Sequence, residues 1–232
     1  MLSIIIPAKN EEKNLRKLLP SILKQGFKKL EVIVADDNST DKTAQVARKL
    51  GAKVVKTSLG HPGKVRNFGA RFASHPYILF LDADVTLPKD FLKINFSEFM
   101  ERNLSSATVY INPISRKIID KTIHYAWNIF YSLVEKTNPH ACGFCIFTKK
   151  DVFEKLGGFD TTVTLAEDHH YVKRAGPFAI LKGPKINVSV RRLDKEGRAG
   201  FVLKMMKAGL YRTFFGEIRN NKIEYDFKHQ RR

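Results

Sequence analysis

Leu2 to Ile6 is a short apolar run, broken only by Ser3, and such a run predicts a buried strand. Pro7 is expected to end it. Asn10 then stands where a helix cap belongs, with Glu11 and Glu12 in the first turn beyond it. Leu15, Leu18, Leu19, Ile22 and Leu23 recur at helical spacing as one stripe, and Gly26 stops that helix. A second apolar run, Glu31 to Ala35, leads directly into Asp36-Asp37-Asn38-Ser39. Thr40 to Leu50 reads as a helix closed by Gly51, and Ala52 to Val55 as a third strand. A loop with Gly60, Pro62 and Gly63 enters a helix running to about Ser74. Tyr77 to Leu81 is a fourth strand that runs out at Asp82.

Strand and helix alternate over the first 85 residues, which argues for an α/β layer with a mainly parallel central sheet. In open sheets of that kind ligands bind beyond the carboxyl ends of the strands. Asp36, Asp37, Asp82 and Asp84 all fall at such ends. The later pattern is less regular. Helices are expected at Pro88 to Arg102, Arg116 to Glu135 and Lys149 to Leu156, the last closed by Gly157-Gly158. Strands are expected at Ala107 to Ile111, Gly143 to Phe147 and Ile186 to Val190. Glu167-Asp168-His169-His170 reads as a loop, and Gly197 to Gly216 as a basic amphipathic helix.

Composition changes this picture in two ways. Lys and Arg number 41 against 23 Asp and Glu, a net charge of +18, so the surface attracts polyanions. Hydrophobic residues make up 43% of the chain, which excludes wholesale disorder. The two cysteines, Cys142 and Cys145, do not make a disulfide scaffold. They are read as core residues of the Gly143 strand rather than a redox or zinc pair. No signal peptide and no apolar run of about 20 residues is visible, so a cytoplasmic protein is expected, at most peripheral at the inner membrane face.

The chemistry concentrates in carboxylates. Asp82-Ala83-Asp84 places two of them at a strand end, where Mg²⁺ or Mn²⁺ prefers oxygen ligands and leaves positions for substrate phosphates. An isolated Asp-X-Asp usually only solvates a turn, and the apolar strand before this one gives it weight. Asp36 and Asp37 can accept hydrogen bonds from a base or from ribose hydroxyls, or serve as partners of a helix terminus. Lys64 and Arg66 lie at a helix start and are candidates to contact a diphosphate; a solvated basic face is the competing account. Glu167-Asp168 offers a carboxylate base, with a surface acidic pair as its alternative.

Taken together, these segments resemble the inverting glycosyltransferase family 2, which has the GT-A fold. The segments are Ser3 to Glu12, Val34 to Asp41, Gly63 to Asn67, Leu79 to Asp84, Gly143, Gly157 to Asp160 and Ala166 to Asp168. Their order and spacing carry the resemblance over roughly residues 1 to 190. It implies a GT-A domain there, with a nucleotide-binding half over about 1–85 and an acceptor half over 86–190. Residues 191–232 would form a basic helical extension packed on it. Pro7, Ala8 and Glu11 would line the nucleotide pocket, and Asp37 with Asp36 would hold the base. Arg66 and Lys64 would lie near the donor phosphates. Asp82 and Ala83 would border the ribose, Asp84 with Asp82 would ligate Mn²⁺ or Mg²⁺, and Asp168 would be the base. Gly143 and Glu167 would lie on the acceptor side. The implied donor is a UDP- or GDP-linked sugar, and the acceptor a hydroxyl on a glycan or a polyprenyl-linked molecule. The Gln-x-x-Arg-Trp motif and long membrane helices of processive members are missing. Arg191-Arg192-Leu193 stands there instead, and either arginine is a candidate for the diphosphate.

Two other classes compete. A nucleotidyltransferase needs a glycine-rich basic loop after the first strand, where this chain has Pro7-Ala8-Lys9-Asn10-Glu11-Glu12. A nucleic-acid binder would interleave basic and aromatic residues on one face, whereas here the basic residues spread along the chain, so no nucleic acid is expected. The helix after Gly197 has two readings: packed with a solvated basic face, or lying on a membrane surface.

Overall fold

The computed structural model describes residues 1–141 and 143–219. The first half alternates as expected: β1 (Leu2–Ala8), α1 (Glu12–Leu23), β2 (Leu30–Asp37), α2 (Thr43–Lys49), β3 (Lys53–Thr57), α3 (Pro62–Ala70) and β4 (Tyr77–Leu81). Then follow β5 (Val85–Thr86), α4 (Phe91–Glu101), β6 (Ser106–Pro113), α5 (Ile118–Val134), β7 (Cys145–Lys149) and α6 (Lys150–Lys155). The described chain ends with α7 (Glu167–Arg174), β8 (Phe178–Val188), α8 (Arg191–Glu196) and α9 (Arg198–Phe215).

The strands form one sheet in the order β3-β2-β1-β4-β7-β6-β8-β5. The pairs β3–β2, β2–β1, β1–β4 and β6–β8 are parallel, while β7 runs against both β4 and β6 and β5 runs against β8. Side chains of the central strands alternate between two cores. Ile4, Ile6, Val34 and Leu79 face the layer of α1, α2 and α4, while Ile5, Ile33 and Phe80 face that of α3, α6 and α7. Helices thus cover both faces of the sheet, and its strands are apolar on both sides.

Several expected boundaries shift, each for a local reason. Pro7 does not end β1 but lies inside it, opposite Ala35 of β2. The β4 ladder ends at Ile5, so no bond on that side asks Pro7 for an N–H. Asn10 does not cap α1: it takes φ 54, and its side-chain oxygen accepts from the Thr40 N–H at 2.8 Å. Glu11 holds the cap position instead. Gly143 lies before β7 rather than in it; Cys145 opens the strand and is buried, and Cys142 lies outside the described residues. Glu167 to His170 is the first turn of α7, not a loop. The last strand is longer than expected, and β5 and α8 were not foreseen at all.

Strand direction places the site. The carboxyl ends of β1, β2 and β4 share one edge of the sheet. Because β7 is antiparallel to β4, its beginning lies at that same edge, with Cys145 opposite Leu81. Because β6 is also antiparallel to β7, and β8 runs parallel to β6, β8 ends there too. Residues scattered from Ala8 to Arg191 are gathered at one rim for this reason.

Candidate active site

Arg66 is the hub. It is buried, projecting from α3, and its Nη1 donates to Glu167 Oε1 at 2.8 Å while Nη2 donates to Asp82 Oδ1 at 2.8 Å. Nη2 also reaches the Gly143 carbonyl at 3.3 Å, and the guanidinium lies over the Phe159 ring. Burial opposes its charge, but Asp82 and Glu167 more than compensate and hold it protonated. One cation on α3 therefore fixes three other chain segments: the end of β4, the turn before β7 and the start of α7.

Asp84 and Glu11 form a second centre. Arg191, just past the end of β8, donates Nη2 to Glu11 Oε1 at 2.5 Å and Nη1 to Glu11 Oε2 at 3.1 Å. Its Nε lies 3.2 Å from Asp84 Oδ2. Burial pushes the Asp84 carboxyl up to about 6; Arg191 pulls the other way, and the charges of Asp82 and Glu11 add to the rise. Asp84 and Arg191 also line a cleft of about 250 Å³ with Asn14, Thr86, Ser189 and Asp194.

The residues expected at the nucleotide end lie together at the ends of β1 and β2. Pro7 and Ala8 close β1 opposite Ala35 and Asp36. Both aspartates are buried and already have backbone partners. Asp36 Oδ1 accepts from Ser39 N–H at 3.2 Å, and Asp37 accepts from the N–H groups of Leu59 at 2.6 Å and Gly60 at 3.1 Å. Asp37 thereby ties the loop before α3 to β2 and keeps lone pairs for a further donor. Lys64 is exposed on the first turn of α3, apart from the Arg66 hub. Ala83 is buried between Asp82 and Asp84.

Asp168 follows Glu167 on α7. Burial raises its carboxyl well above the usual range, the adjacent Glu167 adds to that, and Arg66 and the His169 N–H oppose it. Gly143 faces it: a Cβ at position 143 would clash with Asp168 Oδ2, so a side chain there would expel the carboxylate. Ala166 takes φ 65 immediately before this turn, a left-handed conformation for a residue with a Cβ.

His169 follows Asp168 on α7. Its Nδ1 accepts from Arg212 Nη1 of α9 at 2.7 Å, which leaves the ring proton on Nε2, 3.9 Å from Asp168 Oδ1. Burial, then the neighbouring His140 and Arg212, depress its pKa, so the ring is neutral. His140 packs on it with centroids 4.4 Å apart. Sequence reasoning missed both His140 and Arg212. They stand 29 and 43 residues from His169, and no local pattern links them to it. The dual attachment of Arg191 to Glu11 and Asp84 was also unforeseen.

The donor set suits a divalent ion that takes part of its coordination from a substrate. Among the described residues, no three His, Cys, Asp or Glu side chains form a metal cage. Asp82 and Asp84 nonetheless concentrate negative charge with Glu11, and this crowding helps raise the Asp84 carboxyl. Mg²⁺-like ions are held in this way, by one or two carboxylates plus phosphate oxygens.

Comparison with known proteins agrees with this geometry. Residues 3–157 match the family described as glycosyl transferase family 2. The 4,4'-diaponeurosporenoate glycosyltransferase of Staphylococcus aureus strain USA300 is 36% identical, covering 68% of this chain and 46% of that protein. The chain therefore spans about half the length of the curated relatives it matches. Among solved structures, S. aureus TarS 1-349 in complex with UDP-GlcNAc superposes with a TM-score of 0.65 at 23% identity, covering 81% of this chain and 58% of that one. The mannosyltransferase PcManGT from Pyrobaculum calidifontis, in complex with GDP-Man and Mn²⁺, gives 0.70 at 24%, covering 89% and 60%. At such identities the likeness is one of fold.

Proposed function

The chain belongs to glycosyl transferase family 2 and has the GT-A α/β fold, and from that premise we propose that it moves a sugar from a nucleoside-diphosphate donor to a hydroxyl acceptor. The observation that carries the proposal is the meeting of two charge centres at one sheet edge. These are Arg66 with Asp82 and Glu167, and Asp84 with Glu11 and Arg191. A donor of this kind presents a base, a ribose, a diphosphate and a sugar. The ends of β1 and β2 offer Pro7, Ala8, Glu11, Asp36 and Asp37 to the first two. Lys64, Arg66 and Arg191 supply positive charge for the diphosphate. Asp84 with Asp82 would hold Mn²⁺ or Mg²⁺. When bound, the ion would neutralise charge developing on the leaving diphosphate.

Asp168 is the base of this reading. Its carboxylate removes the proton from the acceptor hydroxyl as that oxygen attacks the anomeric carbon. The bond from that carbon to the diphosphate oxygen breaks in the same step, and the configuration inverts. Gly143 leaves room for the carboxylate, and Glu167 keeps Arg66 oriented on the acceptor side. Solved relatives of the fold hold UDP-GlcNAc and GDP-Man, which supports a UDP- or GDP-linked donor. The acceptor is a glycan or polyprenyl-linked hydroxyl. The protein works on the cytoplasmic side, with its basic C-terminal helix in peripheral contact with a membrane.

A thermal-shift screen of UDP, GDP and their sugars, with and without Mn²⁺, tests this. A ligand at about 100 times its Kd adds about 2.7 kcal/mol of stability. Stabilisation by one nucleoside diphosphate, enhanced by Mn²⁺ and lost as an Mn²⁺-dependent increment in Asp84→Ala, is expected. If no nucleotide or nucleotide-sugar raises the Tm under either condition, the proposal fails.

A further inference from the structure

The outer face of α5 is largely apolar, while Trp127 and Tyr131 are half-buried on its inner side. Its two buried residues are Asp120 and Asn128. Ile118 is 81% exposed and Leu133 76%, with Tyr125 and Ile129 exposed between them at helical spacing. α9 repeats the arrangement: Ala208 is its buried residue, while Leu203, Met206, Leu210 and Phe214 are exposed at spacings of three and four. With Lys207, Tyr211 and Phe215 they line a groove of about 540 Å³. The two helices are joined. Arg198 Nε of α9 donates to Asp120 Oδ1 of α5 at 2.8 Å, and Trp127 stands 5.7 Å from Phe201. An exposed apolar face of this extent marks an interaction site.

The charges around it narrow the occupant. α9 carries no acidic residue; Arg198, Lys204 and Arg212 pair with Asp120, Glu196 and Glu217, while Lys207 stands exposed beside the apolar stripe. Lys117 and Lys121 are exposed at the beginning of α5. The partner must therefore be apolar in its middle and negative at its rim. A second copy of this chain would bring the same basic rim and a net charge of +18, and like charges repel. No helix among the described residues is long and apolar enough to span a membrane. An interfacial helix has this composition, apolar on one face with Lys and Arg beside it.

We propose that α5 and α9 together form a face that docks on an acidic lipid bilayer. This deepens the peripheral contact named above by giving it a second helix, and it rests on the glycosyl-transfer reading in one respect only. α9 also carries Arg212, which holds His169 beside Asp168, so a docked face brings a lipid-borne acceptor to the candidate base.

Flotation of the full chain with vesicles of equal parts phosphatidylglycerol and phosphatidylcholine tests it, against pure phosphatidylcholine. Binding to the acidic vesicles alone, weakened by salt, is the expected result. Leu133→Glu on α5 and Leu210→Glu on α9 are each expected to weaken that binding roughly tenfold or more with Tm unchanged. No binding at low salt overturns the proposal. Binding that Leu133→Glu leaves intact overturns the two-helix face. A chain that does not float but sediments as a dimer, made monomeric by Leu210→Glu, also overturns it and assigns the face to a second copy. The nucleotide-induced Tm shift, read on the same preparations without vesicles, fails or succeeds independently. Loss of docking is thereby told apart from loss of the transfer reading.

Discussion

α1 and α5 are both amphipathic helices, and they are mounted in opposite senses. α1 buries Leu15, Leu18, Leu19 and Ile22 and turns Lys13, Arg16 and Lys17 to solvent. α5 buries Asp120 and Asn128, keeps Trp127 and Tyr131 half-buried, and turns Ile118, Tyr125, Ile129 and Leu133 outward. Each buried polar group of α5 is satisfied. Asp120 accepts from Arg198 and from Ser115, which hold its carboxyl below the usual range. Asn128 accepts from the Ile111 N–H at 3.0 Å and donates to the Ile111 carbonyl at 2.8 Å, where the β6–β8 register shifts. Hydrophobic periodicity thus identifies a helix but not which face turns inward. That is decided by hydrogen-bond partners far off in sequence.

The comparison extends to the site, which is built on the sheet edge, with Arg212 linking α9 to it. The largest effect is expected there. Asp168→Asn should lower transfer about 10²–10⁴-fold while keeping the nucleotide-induced Tm shift. Unchanged turnover would remove Asp168 as base. Next in size is Arg66→Met, which leaves the buried Glu167 and the half-buried Asp82 without a counter-charge. A loss of about 3–5 kcal/mol is expected from the urea midpoint. A stable Arg66→Met protein would mean the hub is not the structural clamp its burial indicates.

How far the molecule could be read from its sequence follows the same division. The strands β1, β2 and β4 and the carboxylates at their ends were legible, because apolar runs and short breaks are local signals. So was the fold class, since the alternation of elements is itself local. The partners of those carboxylates were not. Arg66 meets Glu167 from 101 residues away, and Arg191 meets Glu11 from 180. Only the strand order brings these residues to one edge, and the antiparallel insertion of β7 cannot be read from a run such as Cys145 to Lys149. α8 was hidden because Arg191 to Glu196 is nearly all charged. β5 is a two-residue strand, too short for any pattern.

Leu18→Ala in α1 should cost about 2–5 kcal/mol, as expected for a large apolar side chain removed from a packed core. A value under about 1 kcal/mol would show that the inward half is not as closely packed as its burial implies.

The pH dependence is smaller again. Asp168 must be ionised to act, and its carboxyl is pushed up to about 7. kcat/KM should therefore fall about tenfold per unit as pH drops below that value. Stability runs the other way. A folded-state pKa above the unfolded one means the neutral form is favoured by folding, and that contribution is lost as pH rises to about 7. Asp168→Asn should thus raise Tm at pH 8, with the gain vanishing towards acid. A Tm gain that persists unchanged at low pH would show that packing rather than ionisation sets it.

The smallest effect tests the outward face directly. Leu210→Ala removes the same atoms as Leu18→Ala, but from a side chain that is 59% exposed. Its transfer from water to protein is incomplete, and no cavity forms when it is shortened. The expected change in unfolding free energy is within about 0.5 kcal/mol. That near-zero value sharpens the contrast, because an apolar stripe that adds so little to folding has no structural reason to be apolar. A loss of about 2 kcal/mol or more would place Leu210 in a core, in α9 packed against the chain's own residues. The contrast with α1 would then collapse, and the docking face on α9 with it.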